Sequence, residues 1–281
     1  MSTRQCLVCG ETLAESKLPG LLACSACSFT TADLTVSDAE LERLYGPDYF
    51  AGQEYMDYVA ERPLITRHFQ ARLNRLLRYV ADPGSKRLFE IGSAYGFFLE
   101  VARQHFRFVE GIDISTAAAA YAREQLGVQV AAGEFLAHQM SGPVDVVCLW
   151  DTIEHLRDPH LYVEKAAAHL RRGGAIAVTT GDIGSLMARW RGVRWRQIHP
   201  PTHLHYFSKL TLAQLLERHG FTIAYAGYDG MYRSVDTMAY ILLNIKRSRP
   251  GIYRALKRSR VLNWNLYLNL YDIVYMIATK K

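Results

Sequence analysis

Between residues 85 and 230 short apolar runs alternate with amphipathic stretches. The runs 87–92, 109–114, 128–132, 144–150 and 174–180 have the length and Val/Ile/Leu content of buried strands. Helical periods separate them, and this alternation predicts a parallel sheet with helices on both faces. A helix over 210–220, stopped by Gly220, leads to a strand at 221–228. Upstream, Pro63 to Val80 gathers Ile65, Phe69, Leu73, Leu76, Leu77 and Val80 on one face of a basic helix. That face packs on the sheet, and its arginines are assigned to the solvated outer side. The stretch from Asp38 to Tyr58 reads as a short helix and a tyrosine-rich loop. Residues 231–271, basic and rich in Leu and Tyr, read as two helices inserted before an apolar run at 272–279.

The most informative turn lies in the first of these units. Leu88 to Ile91 enters a turn from Gly92 to Gly96, and a helical run follows over 97–105. Glycines in a strand-to-helix turn let a ligand approach the backbone, and the helix start offers unpaired N–H donors. Asp113, near the end of the next strand, is placed to accept hydrogen bonds from both hydroxyls of a ribose. The turn is not Gly-x-Gly-x-x-Gly, which disfavours a nicotinamide or flavin dinucleotide.

Glu90-x-Gly92-x-x-x-Gly96 and Asp113 resemble the first two motifs of class I S-adenosylmethionine-dependent methyltransferases. The resemblance continues through Asp145–Leu156 and Leu170-Arg-Arg-Gly-Gly174, with Ala94 where the family usually has glycine. It implies an α/β, Rossmann-like, seven-stranded fold whose last strand, near 273–279, is antiparallel. It also implies a cofactor, S-adenosylmethionine, held by Glu90, Gly92, Ala94, Gly96, Asp113, Ile114, Glu134, Phe135 and Asp151. The helix over 63–80 then closes the cofactor side. For Glu134 a contact with the adenine amino group competes with a plain solvated carboxylate.

Cys6-x-x-Cys9 and Cys24-x-x-Cys27 match a four-cysteine zinc ribbon, each pair supplying two thiolates to a tetrahedral ion. Four protein ligands leave no open position, so the zinc is structural. Disulfides are the competing reading, disfavoured by the lack of an apolar signal core at the N-terminus. Cys148 lies in an apolar run and is assigned to the core.

Asp151, Glu154 and His155 follow the fourth strand, where one helical turn would present all three inward. The cluster resembles the acid-x-x-Glu-His of small-RNA 2′-O-methyltransferases and ubiquinone-pathway O-methyltransferases, and that likeness implies Mg2+ or Mn2+ on Asp151, Glu154, His155 and a later histidine, His203. Without metal, the pair Glu154 and His155 would only orient the loop or the cofactor. The alternative metal-free reading makes His155 or one of the later histidines, His203 among them, the general base, with Asp151 beside it. Downstream, Ile183 to Phe207 carries arginines, tryptophans and a Pro-Pro-x-His-Leu-His-Tyr-Phe run. It resembles the substrate cover of methyltransferases from polysaccharide and antibiotic-sugar pathways. Arg194, Trp195, His199, His205 and Tyr206 become substrate candidates, with a purely structural lid as the alternative.

A chain of 281 residues with net charge +6 allows acidic partners without demanding them. No run of about eighteen apolar residues is present, so a membrane span is not expected. The expected placement is cytoplasmic, with peripheral contact at the inner membrane surface through 240–271. The expected division is a zinc ribbon at 1–36, a helical lid or linker at 37–84, the methyltransferase core at 85–230, the basic insertion at 231–271 and a last strand at 272–281. The expected reaction is O-methylation of a glycosyl, polyprenyl-linked or similar small acceptor. C-methylation of a nucleotide sugar, RNA methylation guided by the ribbon, and a non-catalytic binding module are its rivals. Nucleic acid ranks below small acceptors, because no Asn-Pro-Pro-Tyr-like motif follows the fourth strand. Capping of the pocket by the insertion and homodimer contact are further roles for 231–271.

Overall fold

The computed structural model describes residues 4–35, 40, 58–240, 242–243, 249–259 and 261–281. The helix and loop expected over 38–58 fall almost wholly outside these residues. Among the described residues, no helix is long and apolar enough to cross a membrane.

The centre is a seven-stranded sheet built from β4 (Arg87–Ile91), β5 (Phe108–Asp113), β6 (Gln129–Ala132), β7 (Val144–Trp150), β8 (Leu170–Gly181), β10 (Phe221–Tyr228) and β13 (Ile273–Lys280). Its spatial order is β10-β13-β8-β7-β4-β5-β6, and β13 runs antiparallel to both its neighbours. This is the class I methyltransferase fold expected from the sequence. The central strands β4, β7 and β13 are buried on both faces because helices cover each side, which is why they read as apolar runs, while the edge strands β6 and β10 keep exposed positions. On one face α1 (Arg62–Leu76), α2 (Phe97–Ala102) and α3 (Thr116–Leu126) pack over Leu88, Val146, Cys148 and Tyr275. On the other, α4 (Pro159–His169) and α6 (Lys209–Arg218) cover Phe89, Val147, Ile176 and Met276. Cys148 is fully buried, as its apolar run implies.

The cysteine-bearing segment forms a second sheet from β1 (Leu13–Glu15), β2 (Leu21–Cys24) and β3 (Thr30–Ala32). Each Cys-x-x-Cys turn ends on a left-handed residue, Gly10 at φ 86° and Ser28 at φ 65°. The Gly10 and Ser28 N–H groups donate back to Cys6 O (2.8 Å) and Cys24 O (2.9 Å). This sheet does not end with its own strands. β9 (His205–Tyr206), from the segment after β8, joins it antiparallel, with Thr31 opposite His205 and Thr30 opposite Tyr206. Phe29 packs 5.2 Å from Phe207, and both belong to the same apolar cluster as the sheet residues under α6. The ribbon is therefore continuous with the core.

The piece before β13 contains the two expected helices, α7 (Val235–Tyr240) and α8 (Pro250–Arg258). They are enclosed by an antiparallel pair the helical period had not indicated, β11 (Met231–Ser234) with β12 (Asn265–Leu268). Tyr232 and Tyr267 face each other across it at 5.1 Å, a cross-strand aromatic pair of the kind that stabilises a short ladder. Arg67 of α1 lies 4.3 Å over the Tyr232 ring and ties this piece to the core.

Candidate active site

The C-terminal ends of β4, β5, β6 and β7 open into a cavity of about 1720 Å³, walled by α1 and by the β11–β12 pair. In an open parallel sheet this is where ligands bind. Two backbone positions explain the turn after β4. Gly92 sits at φ 74°, and a Cβ there would come within 2.5 Å of Thr152 Cγ2, so any side chain would push the β7 loop away. Ala94, where glycine is usual, accepts φ 45°. Its N–H donates to Asp113 Oδ2 at 2.6 Å, while Ser115 N–H donates to Oδ1 at 2.8 Å. Burial pushes the Asp113 carboxyl up, and these two donors work against it.

Glu90, Gly92, Ala94, Asp113, Ile114, Glu134, Phe135 and Asp151 all line the cavity, as the resemblance implies. Gly96 does not; its φ is 78°, and a Cβ would stand 2.9 Å from both Ala122 Cβ and Val128 Cγ2. It shapes the turn and its packing on α3. Glu90 is buried, with Oε2 lacking a hydrogen-bond partner. Burial and then Asp113 push its carboxyl well up, with the Arg72 guanidinium working against them. Glu134 is held by Tyr162 Oη and by the Ala137 N–H at 3.0 Å.

Sequence reasoning missed the residue that organises the cavity floor. Arg72 is 1% exposed; Nη1 lies 2.8 Å from Asp151 Oδ2 and Nε lies 2.8 Å from Asp229 Oδ2. Its Nη2 has no hydrogen-bond partner. His68, one turn earlier, has Nε2 3.6 Å from Asp229 Oδ2, and neither ring nitrogen is hydrogen-bonded. Burial, then Arg72, pushes the imidazole down to about 3, so it is neutral. The sequence did carry a signal. Arg72 falls on the apolar stripe of its helix between Phe69 and Leu76, where a solvated arginine has no place.

Glu154, His155 and His203 converge, each offering a ligand atom within 4.8 Å of the others. His155 Nδ1 lies 2.8 Å from Thr202 O and His203 Nδ1 lies 2.8 Å from Gln197 O. These carbonyls make each Nδ1 the N–H donor, which leaves the lone pair on Nε2. Burial pushes His155 down to about 4 and His203 below its ordinary range, while burial, then Asp151, raises Glu154 to about 8. Asp151 does not join them. Residues 151–155 form a turn, not a helix, with Asp151 at φ 50°. Burial raises the Asp151 carboxyl, but the Arg72 guanidinium outweighs this and holds it below the usual range.

The expected substrate residues have other partners. Arg194 is exposed and not part of the cavity wall. Trp195 is buried, its Nε1 donating to Asp272 Oδ2 at 3.0 Å. His205 is buried between Thr31 Oγ1 (3.0 Å) and Arg157 O (3.1 Å), and Tyr206 Oη donates to His203 O at 2.9 Å. His199 stacks 3.9 Å from His203, outside the cavity lining. From this stretch Arg196, Gln197 and His203 reach the cavity; the opposite wall is Met231, Tyr232, Arg233 and Met238.

Residues 61–226 match the family described as Methyltransferase domain. A ubiquinone biosynthesis O-methyltransferase of Caulobacter sp. (strain K31) is 32% identical over 174 residues, covering 53% of this chain and 68% of that protein. The protein of that name from Cupriavidus pinatubonensis is 34% identical over 108 residues; the match spans 36% of this chain and only 43% of the relative's length. Among solved structures, magnesium protoporphyrin IX methyltransferase from Synechocystis PCC 6803 with bound SAH matches with a TM-score of 0.56 at 13% identity. That match covers 87% of this chain and 100% of the other.

Proposed function

The chain belongs to the methyltransferase-domain family, and from that premise we propose that it transfers a methyl group from S-adenosylmethionine to a hydroxyl oxygen of a small acceptor, glycosyl or polyprenyl-linked in character. The observation that carries this reading is the Glu154–His155–His203 cluster, set beside Asp151 in the same cavity as the glycine turn. O-methylation is also the reaction named for the ubiquinone-pathway relatives.

The residues present fit the cofactor. Asp113 lines the cavity with a carboxylate of the kind that suits ribose hydroxyls, and two buried polar atoms of the wall, Glu90 Oε2 and Arg72 Nη2, have no protein partner. Arg72 Nη2 suits a carboxylate, and Glu90 suits an amino group or hydroxyl. When bound, S-adenosylmethionine supplies an electrophilic methyl on a sulfonium. The chain's own work is alignment and proton removal. Positioning can contribute about 7–11 kcal/mol in favourable cases. The acceptor hydroxyl gives its proton to Nε2 of His155 or His203, both kept neutral by burial. Asp113, Glu90 and Arg72 would hold the cofactor, and its chemistry would be methyl donation with the bonding electron pair left on sulfur. Asp151 acts through Arg72, anchoring α1 against the β7 loop.

Glu154, His155 and His203 also fit a divalent cation, since both imidazoles are oriented by carbonyls and Glu154 Oε2 has no partner. An ion there would lower the pKa of a coordinated hydroxyl. Two imidazoles favour Mn2+ over Mg2+, which prefers oxygen ligands. Turnover should fall on mild chelation that leaves the cysteine-bound zinc in place, and Mn2+ should restore it more fully than Mg2+. Full turnover in chelator would remove the metal and leave the histidine base.

Asp113→Ala should weaken S-adenosylhomocysteine binding about 10–100-fold, the loss of charged hydrogen bonds, with a modest drop in melting temperature because the Ala94 and Ser115 N–H groups lose their acceptor. Equilibrium dialysis checks it, and unchanged affinity would take Asp113 out of the site. The acceptor class is tested with methyl-labelled S-adenosylmethionine and a cell extract separated into lipid, small-solute, protein and nucleic-acid fractions. Label in lipid or small solutes is expected. Label in nucleic acid would replace this reading with RNA methylation.

A further inference from the structure

Two stretches of the chain contain no carboxylate. Ile183 to Leu210 holds five arginines and lysines, and Thr237 to Tyr271 holds seven. Twelve of the 33 basic residues thus fall in segments without acids, and the rest of the chain is net acidic. The structure brings the two stretches together around Tyr228. Lys209 Nζ lies 3.9 Å over the Tyr228 ring, and Tyr271 packs against the same ring at 6.0 Å. Asp182, whose Oδ2 accepts from Tyr228 Oη at 2.9 Å, also receives the Gly184 N–H at 2.8 Å just before helix α5 (Leu186–Arg191).

This neighbourhood shows its apolar side chains to solvent. Leu186, Trp190, Leu210 and Tyr271 are between 62% and 79% exposed. Arg189, Arg191 and Arg194 are exposed among them. Large apolar groups in water are usually scattered singly, whereas a cluster of Leu, Trp and Tyr ringed by arginines marks a recognition surface. The combination separates two kinds of occupant. A protein partner needs a matched shape; a bilayer interface needs only Trp and Leu to enter the headgroup boundary and cations to meet anionic lipid, and this face offers both.

We infer that this face, built on α5, Leu210 and Tyr271, docks on an anionic lipid bilayer. The contact is broader than the 240–271 segment expected from sequence, and α5 is its leading element. The face adjoins the cavity: Arg196 and Gln197, just past Arg194, line its wall, as does Leu268 of β12. A lipid-borne acceptor would reach the cavity along this edge, and that step alone rests on the proposed acceptor. Bilayer attraction itself depends only on the exposed side chains. Each basic residue near an anionic surface strengthens binding, and salt weakens it.

The experiment is vesicle flotation of the zinc-loaded full chain, using phosphatidylcholine alone and phosphatidylcholine mixed with phosphatidylglycerol. Recovery with anionic vesicles should exceed that with neutral ones by about tenfold and fall with added salt. The pair Leu186→Ser and Trp190→Ser should lower partitioning about tenfold. Arg189→Gln with Arg191→Gln should remove most of the preference for anionic lipid. Melting temperature and S-adenosylhomocysteine affinity should be unchanged in both, since none of these residues lines the cavity. Equal recovery with both vesicle types, or flotation unaltered by either pair, would overturn the proposal. So would sedimentation showing a dimer that the Leu186/Trp190 variant makes monomeric, because a second copy would then own the face.

Discussion

Arg72→Met will lower the melting temperature by about 10 °C, one of the largest effects of any substitution outside the apolar core. Arg72 is 1% exposed and pairs with two carboxylates, Asp151 and Asp229, each at 2.8 Å. Methionine keeps an unbranched apolar stem but leaves both acids without their cation. Breaking a buried pair on one side costs about 3–5 kcal/mol, mostly the penalty of the stranded charge. The size of the loss depends on pH in a definite direction. Arg72 holds the Asp151 carboxyl below its ordinary range despite the upward push of burial. A depressed folded-state pKa contributes stability above the unfolded value, about 3.9, and loses it as pH falls through the folded one. The contribution of the Arg72–Asp151 pair to wild-type stability is therefore full at neutral pH and is lost as pH drops below about 4. Asp229→Asn in the variant background should recover part of the loss, since one stranded charge is gone. Thermal melts across pH check all three statements. His68 supplies an independent readout. Arg72 contributes to its lowered pKa, so removing the guanidinium beside Asp229 should move the imidazole titration upward in a nuclear magnetic resonance series.

The difference between what the sequence disclosed and what it hid follows the range of the forces involved. The central strands of the sheet are legible because burial on both faces writes apolar runs, as in β7 at 144–150. The turn at Gly92 was legible because a left-handed backbone against Thr152 admits little but glycine. Glu154, His155 and His203 were nameable, but not their separation from Asp151, because that depends on Arg72 arriving from a helix about eighty residues away. His205 and Tyr206 looked like substrate groups because nothing local shows that β9 will pair with a strand in the first forty residues. Along 183–207 the sequence leaves the polar side chains open to two readings, substrate groups or a structural lid. In the fold they divide among a ribbon, a buried aspartate and a solvent-exposed helix, and only tertiary contacts assign them.

Removing zinc from the ribbon, or replacing Cys27 with serine, should abolish turnover while leaving S-adenosylhomocysteine binding nearly intact. The sulfurs of Cys6 and Cys27 lie 3.5 Å apart and those of Cys9 and Cys24 lie 3.4 Å apart. A tetrahedral zinc with bonds of about 2.3 Å would spread such sulfurs to about 3.8 Å, a small expansion of what is already assembled. Burial pushes the Cys6 and Cys27 thiols up, so thiolates crowded this closely need a cation. Without it the knuckles lose their tie and β3 loses its support. β3 is what β9 pairs with, and Thr31 Oγ1 holds both Leu204 O and His205 Nδ1 at 3.0 Å. His203 stands immediately before that pairing, with its carbonyl fixed by Tyr206 Oη. The ribbon thus positions one side of the Glu154–His155–His203 cluster, although no ribbon residue lines the cavity. The cofactor turn hangs on β4 and β5, which the ribbon sheet does not pair with, so its affinity should survive. Thr31→Val separates positioning from collapse: it keeps the shape and the cysteines but removes the two hydrogen bonds. It should lower kcat about tenfold, with KM for the cofactor and zinc content unchanged, and Thr31→Ser should restore most of the rate. If Thr31→Val and the zinc-free protein both turned over normally, the contacts of Leu204 and His205 with Glu154 O would be sufficient to hold His203, and the ribbon would serve something other than catalysis.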